Sequence, residues 1–439
     1  MNYAFSINCY PKQVFSHFMT SPLYLASAPG FVPNIIIEGV DRSHIESLDK
    51  ALHTEWELGK NIVLVWVPCV KGMEVLIVPH YTLSEFIATN DHEADNPSSH
   101  FDNADLFTHQ PVNVIEDIVA GTKKRDNRQL MHLSKLLGYP SQYIDLPFTP
   151  GEEVPYGIVE SIVKRYSISF IEDRAVALFD IVGFSLLSQL DQVTQLNSLA
   201  LSINSVHAKM LNNGIYISFA LTTTGDGFYI WNRDRSIQAN VNLYHLMHLA
   251  LADNAVARAK SSHNTKPLLR TAFHVGGHYE FYQSEGLSPT VYSYIVGDVT
   301  IELARMVERA LPGQVLVGEF QIPIADGEIG LVKKIDTIEF IDKTQETLSS
   351  LNGLVLSGDK IDSISCYLTG DRVENKAFAV RKYIVVDKHG KGRNVYNAKV
   401  NIYRKDSEPV LLGLATKNLG PFNATTGDFV TLRGRAPDD

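Results

Sequence analysis

The chain has 439 residues, 45% of them apolar and 20% charged, which is enough for two or three domains and excludes a disordered or fibrous class. Its net charge of −10 argues against a non-specific grip on DNA or on an anionic membrane. In chain order, the opening "MNYAFSINCYPKQ" lacks the charged and apolar blocks of a signal peptide. Cys9, Cys69 and Cys366 are too few and too scattered for a disulfide framework or a metal knuckle, which points to a reducing interior. Ile45, Leu48, Leu52 and Trp56 have helical spacing, Gly59 suits a C-cap, and "IVLVWV" and "MEVLIV" predict strands. The longest apolar run, "NIVLVWVPCV" at 61–70, is about half of what a membrane span needs. The expectation is therefore a soluble, cytoplasmic protein.

The stretch "ATNDHEADNPSSHFDNAD" (88–105) is polar and without apolar period, so it reads as a long loop. Its His92, Glu93, Asp95 and His100 are metal-ligand types, but no apolar pattern fixes them, and a solvated loop is the reading adopted. The basic "TKKRDNR" (122–128) reads as a solvated face rather than a nucleic-acid patch. No chemistry is legible before residue 165.

The middle of the chain is more regular. "AVALFDIV" (175–182) has the composition of a buried strand, and Val193, Leu196, Leu199, Ile203, Val206 and Met210 mark one face of a long helix. A hairpin through "TTTGDGFYI" (222–230) follows, then a second helix through "VNLYHLMHLALADNAVARA". "LRTAFHVGGHYEFY" (269–282) predicts strands, "DVTIELARMVERA" (298–310) a helix, and "QVLVGEF" a last strand after Pro312-Gly313. The order β-α-β-β-α-β, with a further helix and strand, predicts an α+β fold: a split βαβ, ferredoxin-like antiparallel sheet with helices. Three regions result: an α/β region at 1–165, the regular region at 166–325, and a β-rich region at 326–439 ending in "RKYIVVDKHGKGRNVYNAKVNIY" (381–403). No repeat at solenoid period is present.

In that order Asp180 ends the first strand and Asp226 tips the central hairpin, and the two strands are neighbours, so both carboxylates reach one end of the sheet. Two carboxylates that meet there repel unless a cation lies between them. Hard divalent ions take carboxylate and phosphate oxygens, so the pair is suited to metal and a nucleoside triphosphate. Read from residue types alone, two simple turn aspartates flanked by glycine remain an alternative.

"FDIVGFS" (179–185) and "TTGDGF" (223–228) resemble the two metal-binding segments of class III nucleotidyl cyclases. "RTAFHVGG" (270–277) resembles that family's next strand, and "GDVTIELARMVERALPGQVLVGE" (297–319) its catalytic helix and final strand. The likeness spans about 150 residues in order, which is more specific than any single motif. It implies a homodimer with composite active sites, two divalent ions (Mg or Mn) on Asp180, Asp226 and the carbonyl of Ile181, Phe184 beside the substrate, and Arg305 from the partner stabilising phosphate charge.

Three positions depart from the purine-cyclase pattern. The base-reading Lys position holds Thr222, the second base-reading position holds Tyr294, and the transition-state Asn position holds Ile301. Losing the groups that recognise a purine edge can cost several powers of ten in discrimination, and a tyrosine ring shrinks the pocket and offers a stacking surface. The altered pair is similar to that of the pyrimidine cyclases of Pycsar anti-phage systems; Tyr294 as plain interface packing is the alternative. Ile301 donates no hydrogen bond, a loss worth about a hundredfold to a thousandfold in rate unless the adjacent Thr300 or a water substitutes. The C-terminal 383–403 resembles the adenylyl/guanylyl cyclase and SMODS C-terminal sensor domain, where Lys388, His389 and Arg393 either contact a ligand or form a solvated hairpin tip.

The expectation is thus a homodimeric cyclase that converts UTP or CTP to its 3′,5′-cyclic monophosphate and pyrophosphate. A separate effector would read the product during phage infection, and neither nucleic acid nor membrane would be a partner. A purine cyclase with divergent base contacts, or a silent nucleotide-binding regulator, are the alternatives.

Overall fold

The computed structural model describes residues 40–93, 111–261, 263–284, 291–325, 332–356, 358–372 and 378–432. Contacts group the chain into two compact units, one of residues 1–170 with 281–293 and one of 171–280 with 294–439. Among the described residues no helix is long and apolar enough to cross a membrane.

The first unit begins with α1 (Arg42–Trp56), which buries Ile45, Leu48, Leu52 and Trp56 as the spacing predicts. The chain leaves it through three consecutive left-handed residues, Glu57, Leu58 and Gly59, so Gly59 is the last of the turn rather than the cap itself. Then come β1 (Asn61–Cys69), β2 (Gly72–Pro79), α2 (Thr82–Glu93), α3 (Pro111–Ala120), α4 (Asn127–Leu137), β3 (Gln142–Asp145) and α5 (Tyr156–Lys164). The three strands form an antiparallel sheet in the order β1-β2-β3. One face packs on α1 and α5, and the other receives Ile115, Ile118, Leu130 and Leu133 of α3 and α4.

Two expectations change here. The polar stretch from 88 starts inside α2, so His92 and Glu93 are helical, while Asp95 and His100 lie outside the described residues. Leu83, Phe86 and Ile87 explain the helix, because they pack as one stripe against the α3–α4 side. The run 122–128 is not a solvated face throughout: Lys123 has 0% exposure. Its ammonium donates to the carbonyls of Ile118 (3.0 Å) and Ile168 (2.8 Å), and Glu160 accepts the backbone N–H groups of Lys123 and Lys124. Ile118 lies in the last turn of α3, where unsatisfied carbonyls favour a cation.

The second unit is built on one large mixed sheet. Its elements are β4 (Ser169–Ile181), α6 (Gln189–Asn212), β5 (Phe219–Thr223), β6 (Gly227–Asn232), α7 (Ile237–Lys260), β7 (Leu269–Ser284), β8 (Val291–Val296), α8 (Asp298–Arg309) and β9 (Val315–Gly318). There follow β10 (Gln321–Ala325), β11 (Val332–Asp336), α9 (Thr337–Thr347), β12 (Val355–Leu356), β13 (Asp359–Leu368), β14 (Gly370–Arg372), β15 (Phe378–Val386), β16 (Gly392–Arg404), β17 (Val410–Leu412) and β18 (Thr425–Leu432). The order β7-β4-β6-β5 is the split βαβ arrangement that the element order predicts.

The sheet continues past that core. β9 joins β7 in parallel and β16 joins β9 in antiparallel register, Val395 opposite Gly318 and Ala398 opposite Val315. Residues on either side of 326 therefore share a sheet, and 171–280 and 294–439 form one compact unit. α7 is buried on almost every side, which is why its apolar residues show no single stripe. α6 buries Leu199, Ile203, Val206 and Met210, but Val193 in its first turns is 56% exposed, so the predicted face extends only over the later turns.

Candidate active site

Strand alternation builds the site. On β4, Ala175, Ala177, Phe179 and Ile181 join the core cluster of α6 and α7. The intervening Val176 and Leu178 join a second cluster that contains Val299, Leu303 and Met306 of α8. Period two therefore carries Asp180 onto the α8 face at the end of the strand. The same rule puts Tyr229 and Trp231 of β6 and Ala220 of β5 on that face, and Thr222 with them.

The hairpin tip is held by its threonines. Thr223 Oγ1 accepts the Gly225 N–H (3.0 Å), and Thr224 Oγ1 donates to Asp226 Oδ1 (3.1 Å). Gly225 takes φ +97°, and at Gly227 a Cβ would lie 1.9 Å from the Phe179 carbonyl oxygen, so only glycine lets β6 approach β4 so closely. Asp226 in turn accepts the Ile181 N–H through its backbone carbonyl (3.0 Å), which locks the tip beside the end of β4.

The Asp180 carboxyl is shifted by its surroundings. Burial raises the Asp180 carboxyl above the usual range and the Asp226 charge adds to this, while Arg270 opposes both. Arg270 Nε donates to Asp180 Oδ2 at 2.5 Å, and its Nη1 reaches the Ala310 carbonyl at 3.4 Å. Sequence reasoning missed Arg270. Its signal is an arginine second in β7, on the face opposite Leu269 and Phe273, which join the α7 core.

α8 opens at Gly297, where φ is +150° and a Cβ would lie 2.8 Å from His278 Cα. Thr300 Oγ1 donates to the Gly297 carbonyl (2.8 Å), so that hydroxyl is engaged within its own helix. The Thr300 carbonyl accepts the Tyr229 phenol (2.9 Å), a second residue that sequence reasoning missed. Burial raises that phenol to about 12, against the charge of Arg305 and with that of Asp226. Tyr229 thus lies within electrostatic range of both. Arg305 pairs with Glu308 of its own helix at 3.3 Å, and Ile301 is 50% exposed.

The remaining expected residues are dispersed. Phe184 sits in a 3₁₀ turn (Phe184–Leu186), where its ring packs half-buried against the α6–α7 core. Thr222 is half-buried on β5, and Tyr294 is exposed on β8, which pairs with β7; β6 and β4 lie between β5 and β7. Lys388 and His389 are exposed at the β15–β16 tip. Arg393 is not part of that tip: it is buried, ion-paired with Glu302 of α8 and with Asp387 at 3.1 Å. Its charge is balanced by two carboxylates inside the fold, so it is not part of a solvated tip.

The donor set fits a hard divalent ion by its chemistry: two carboxylates, one of them held above its ordinary range by burial and by its neighbour, with the Ile181 carbonyl adjacent. Among the described residues, no group of three or more His, Cys, Asp or Glu side chains is suited to hold a metal, so further ligands would have to come from substrate or water.

No protein-family model matches this chain, and no curated protein does. Solved structures do. The guanylate cyclase domain of RhGC from Catenaria anguillulae, in complex with GTP, is 13% identical over 54% of this chain and 100% of its own, with a TM-score of 0.32. The adenylyl cyclase CyaB from P. aeruginosa is 12% identical over 55% and 97%, with a TM-score of 0.29. A bacterial light-regulated adenylyl cyclase is 15% identical over 40% and 99%, with a TM-score of 0.26.

Proposed function

We propose that the second unit is a nucleotide cyclase that closes a nucleoside triphosphate to its 3′,5′-cyclic monophosphate. The observation that carries this reading is that Asp180 and Asp226 meet at one end of the sheet, where burial and then the Asp226 charge raise the Asp180 carboxyl, on the face shared with Tyr229 and α8. In the reaction the ribose 3′-oxygen bonds to the α-phosphorus, the α–β phosphoanhydride bond breaks, pyrophosphate leaves, and the 3′-hydroxyl proton passes to solvent. Divalent ions on Asp180 and Asp226 would supply Lewis-acid stabilisation of the phosphates. Arg270 fixes one Asp180 oxygen and leaves the other to a ligand. Arg305, 25% exposed on α8, is the cation for phosphate charge, donated to a partner's site in a homodimer.

The finer proposal concerns the base. Thr222 and Tyr294 lack the Lys and carboxylate expected for a purine edge, which supports UTP or CTP as substrate and a cyclic pyrimidine nucleotide as the messenger for a separate defence effector. The exposed Lys388 and His389 remain candidate contacts for a sensed ligand. A second reading, nucleotide binding without turnover, is favoured by the 2.5 Å Arg270–Asp180 pair, which already satisfies one carboxylate oxygen. The deciding experiment is incubation of purified protein with ATP, GTP, CTP and UTP and Mn²⁺, with products identified by mass spectrometry. A cyclic pyrimidine product supports the proposal. A cyclic purine product refutes the base assignment, and bound but unaltered nucleotide refutes catalysis.

A further inference from the structure

The apolar contacts of α8 do not by themselves set how the helix is turned. Val299, Leu303, Met306 and Val307 bury it on the sheet, but apolar burial is non-directional and permits a small roll or slide about the axis. On another side of the same helix Asp298, Glu302 and Arg305 follow at i, i+4 and i+7, one row over two turns. Whatever fixes the first two of these also fixes the third, the cation of the proposed site.

Arg393 of β16, 91 residues along the chain from Glu302, meets that row. Its Nη1 donates to Glu302 Oε1 and its Nη2 to Asp387 Oδ2 at 3.1 Å, so the planar guanidinium spans two carboxylates. The side chains of Arg393 and Asp387 are 6% and 3% exposed. Asp387 is held in turn, because its Oδ1 accepts the backbone N–H groups of His389 (2.8 Å) and Lys391 (3.0 Å). Burial lowers the Arg393 guanidinium and the Asp298 charge opposes this, which places the first turn of α8 within electrostatic range as well. Burial also opposes the Asp387 charge, but the two N–H groups, then the charges of His389 and Arg305, hold its carboxyl below the usual range. Arg393 thus faces the first two members of the row, and its partner Asp387 feels the third.

We propose that Arg393 is a positioning residue, which ties α8 to the β15–β16 turn and thereby sets the reach of Arg305 to the substrate phosphates. The proposal rests on the cyclase reading of the site and adds to it the residue that orients its cation. A buried ion pair is costly to break from one side, because the other charge is left unpaired, so it holds its geometry more strictly than an exposed pair does. The Arg305–Glu308 pair, on side chains 25% and 49% exposed, is by contrast weak enough to exchange for a phosphate. The helix is fixed while its cation stays exchangeable.

Two variants of the full chain test it. Glu302→Gln removes the tie at a side chain 25% exposed and keeps the Arg393–Asp387 pair, so it folds even if changes at Arg393 do not. Arg393→Lys keeps the charge and loses the fork that spans both carboxylates. With the nucleoside triphosphate that the wild type cyclises, kcat should fall about tenfold in the first and about fivefold in the second, with KM within about twofold. In an Arg305→Gln background neither change should lower kcat further, because the effect passes through Arg305. Without nucleotide, the amides of the last two turns of α8 should exchange hydrogen about tenfold faster in Glu302→Gln, with those of α7 unchanged. A lowered unfolding midpoint with kcat intact would make the tie merely structural and overturn the proposal. Losses that multiply with Arg305→Gln, or α8 exchange equal to wild type, also overturn it. A wild type that makes no cyclic nucleotide refutes the cyclase reading itself, and the exchange measurement then decides the tie alone.

Discussion

The two faces of the large sheet are made from the same strands, yet they are opposite in character. On the α7 face, Ala175, Phe179, Phe273 and Val317 pack against a helix buried on almost every side. On the α8 face the alternate residues begin as an equally apolar cluster around Val176, Leu178 and Leu303, but end in Asp180, Arg270 and Tyr229 at the hairpin end. A single period-two pattern thus places a dry core and a charged site back to back, and the strand end decides which residues become chemistry.

The comparison breaks most completely if the carboxylates are neutralised. Asp180→Asn and Asp226→Asn should each lower cyclase turnover by at least about a thousandfold while circular dichroism and the thermal midpoint show a folded protein. Turnover within tenfold of wild type in either variant would remove the charged face from the mechanism. The apolar face should answer in stability instead. Phe273→Ala, which takes a fully buried ring away from Tyr244, Phe320 and Phe340, should cost about 3–5 kcal/mol by denaturant unfolding. A loss under about 1 kcal/mol would mean the cluster is not the core it looks like.

Much of this was legible in the sequence, and what was not shares a physical cause. The apolar run of β4, the later turns of α6 and the glycine-flanked Asp226 are local patterns, and the structure contains all three elements. Arg270 was not legible as a partner of Asp180, because the pair exists only once β7 lies beside β4. Arg393 resembled a hairpin-tip cation, yet the α8 residue Glu302 and Asp387 enclose it. Lys123 failed the charge-run rule for a related reason, since the carbonyl of the distant Ile168, with that of Ile118 at the end of the preceding helix, replaces water around its ammonium. Long-range partners for charged residues are what a local pattern omits.

Acid should weaken both faces. His245 on α7 and His274 and His278 on β7 are each pushed down to about 4 by burial, and His248 shifts in the same direction. A histidine lowered in the folded state leaves the unfolded chain binding more protons as pH falls, so its contribution is present above about 6.5 and lost on the way down to about 4. Going from pH 7 to pH 5 should cost about 2 kcal/mol for each of His245, His274 and His278, read as a drop in the urea midpoint. An unchanged midpoint would mean these rings are hydrated and titrate normally.

Tyr294 tests the finer reading on the exposed side of the molecule. Tyr294→Ala should leave the thermal midpoint unchanged and shift the ratio of pyrimidine to purine turnover by about tenfold toward purines. An unaltered ratio would make the ring ordinary surface.

The smallest expected effect concerns the tie between the faces of the site itself. The Tyr229 phenol links β6 to the Thr300 carbonyl, and Thr300 opens the helix that carries Arg305. Tyr229→Phe removes that hydrogen bond while keeping the ring in its cluster, a loss worth about 1 kcal/mol. If the phenol only stabilises the fold, the urea midpoint should fall and kcat should stay. If it positions α8 for the charge on the phosphates, kcat should fall about fivefold with KM nearly unchanged, because an interaction that matters more in the transition state than in the bound substrate appears in kcat. The Asp226 and Arg305 charges both act on this phenol, so it is coupled to a carboxylate of its own site as well as to the helix that carries Arg305, which favours the second outcome.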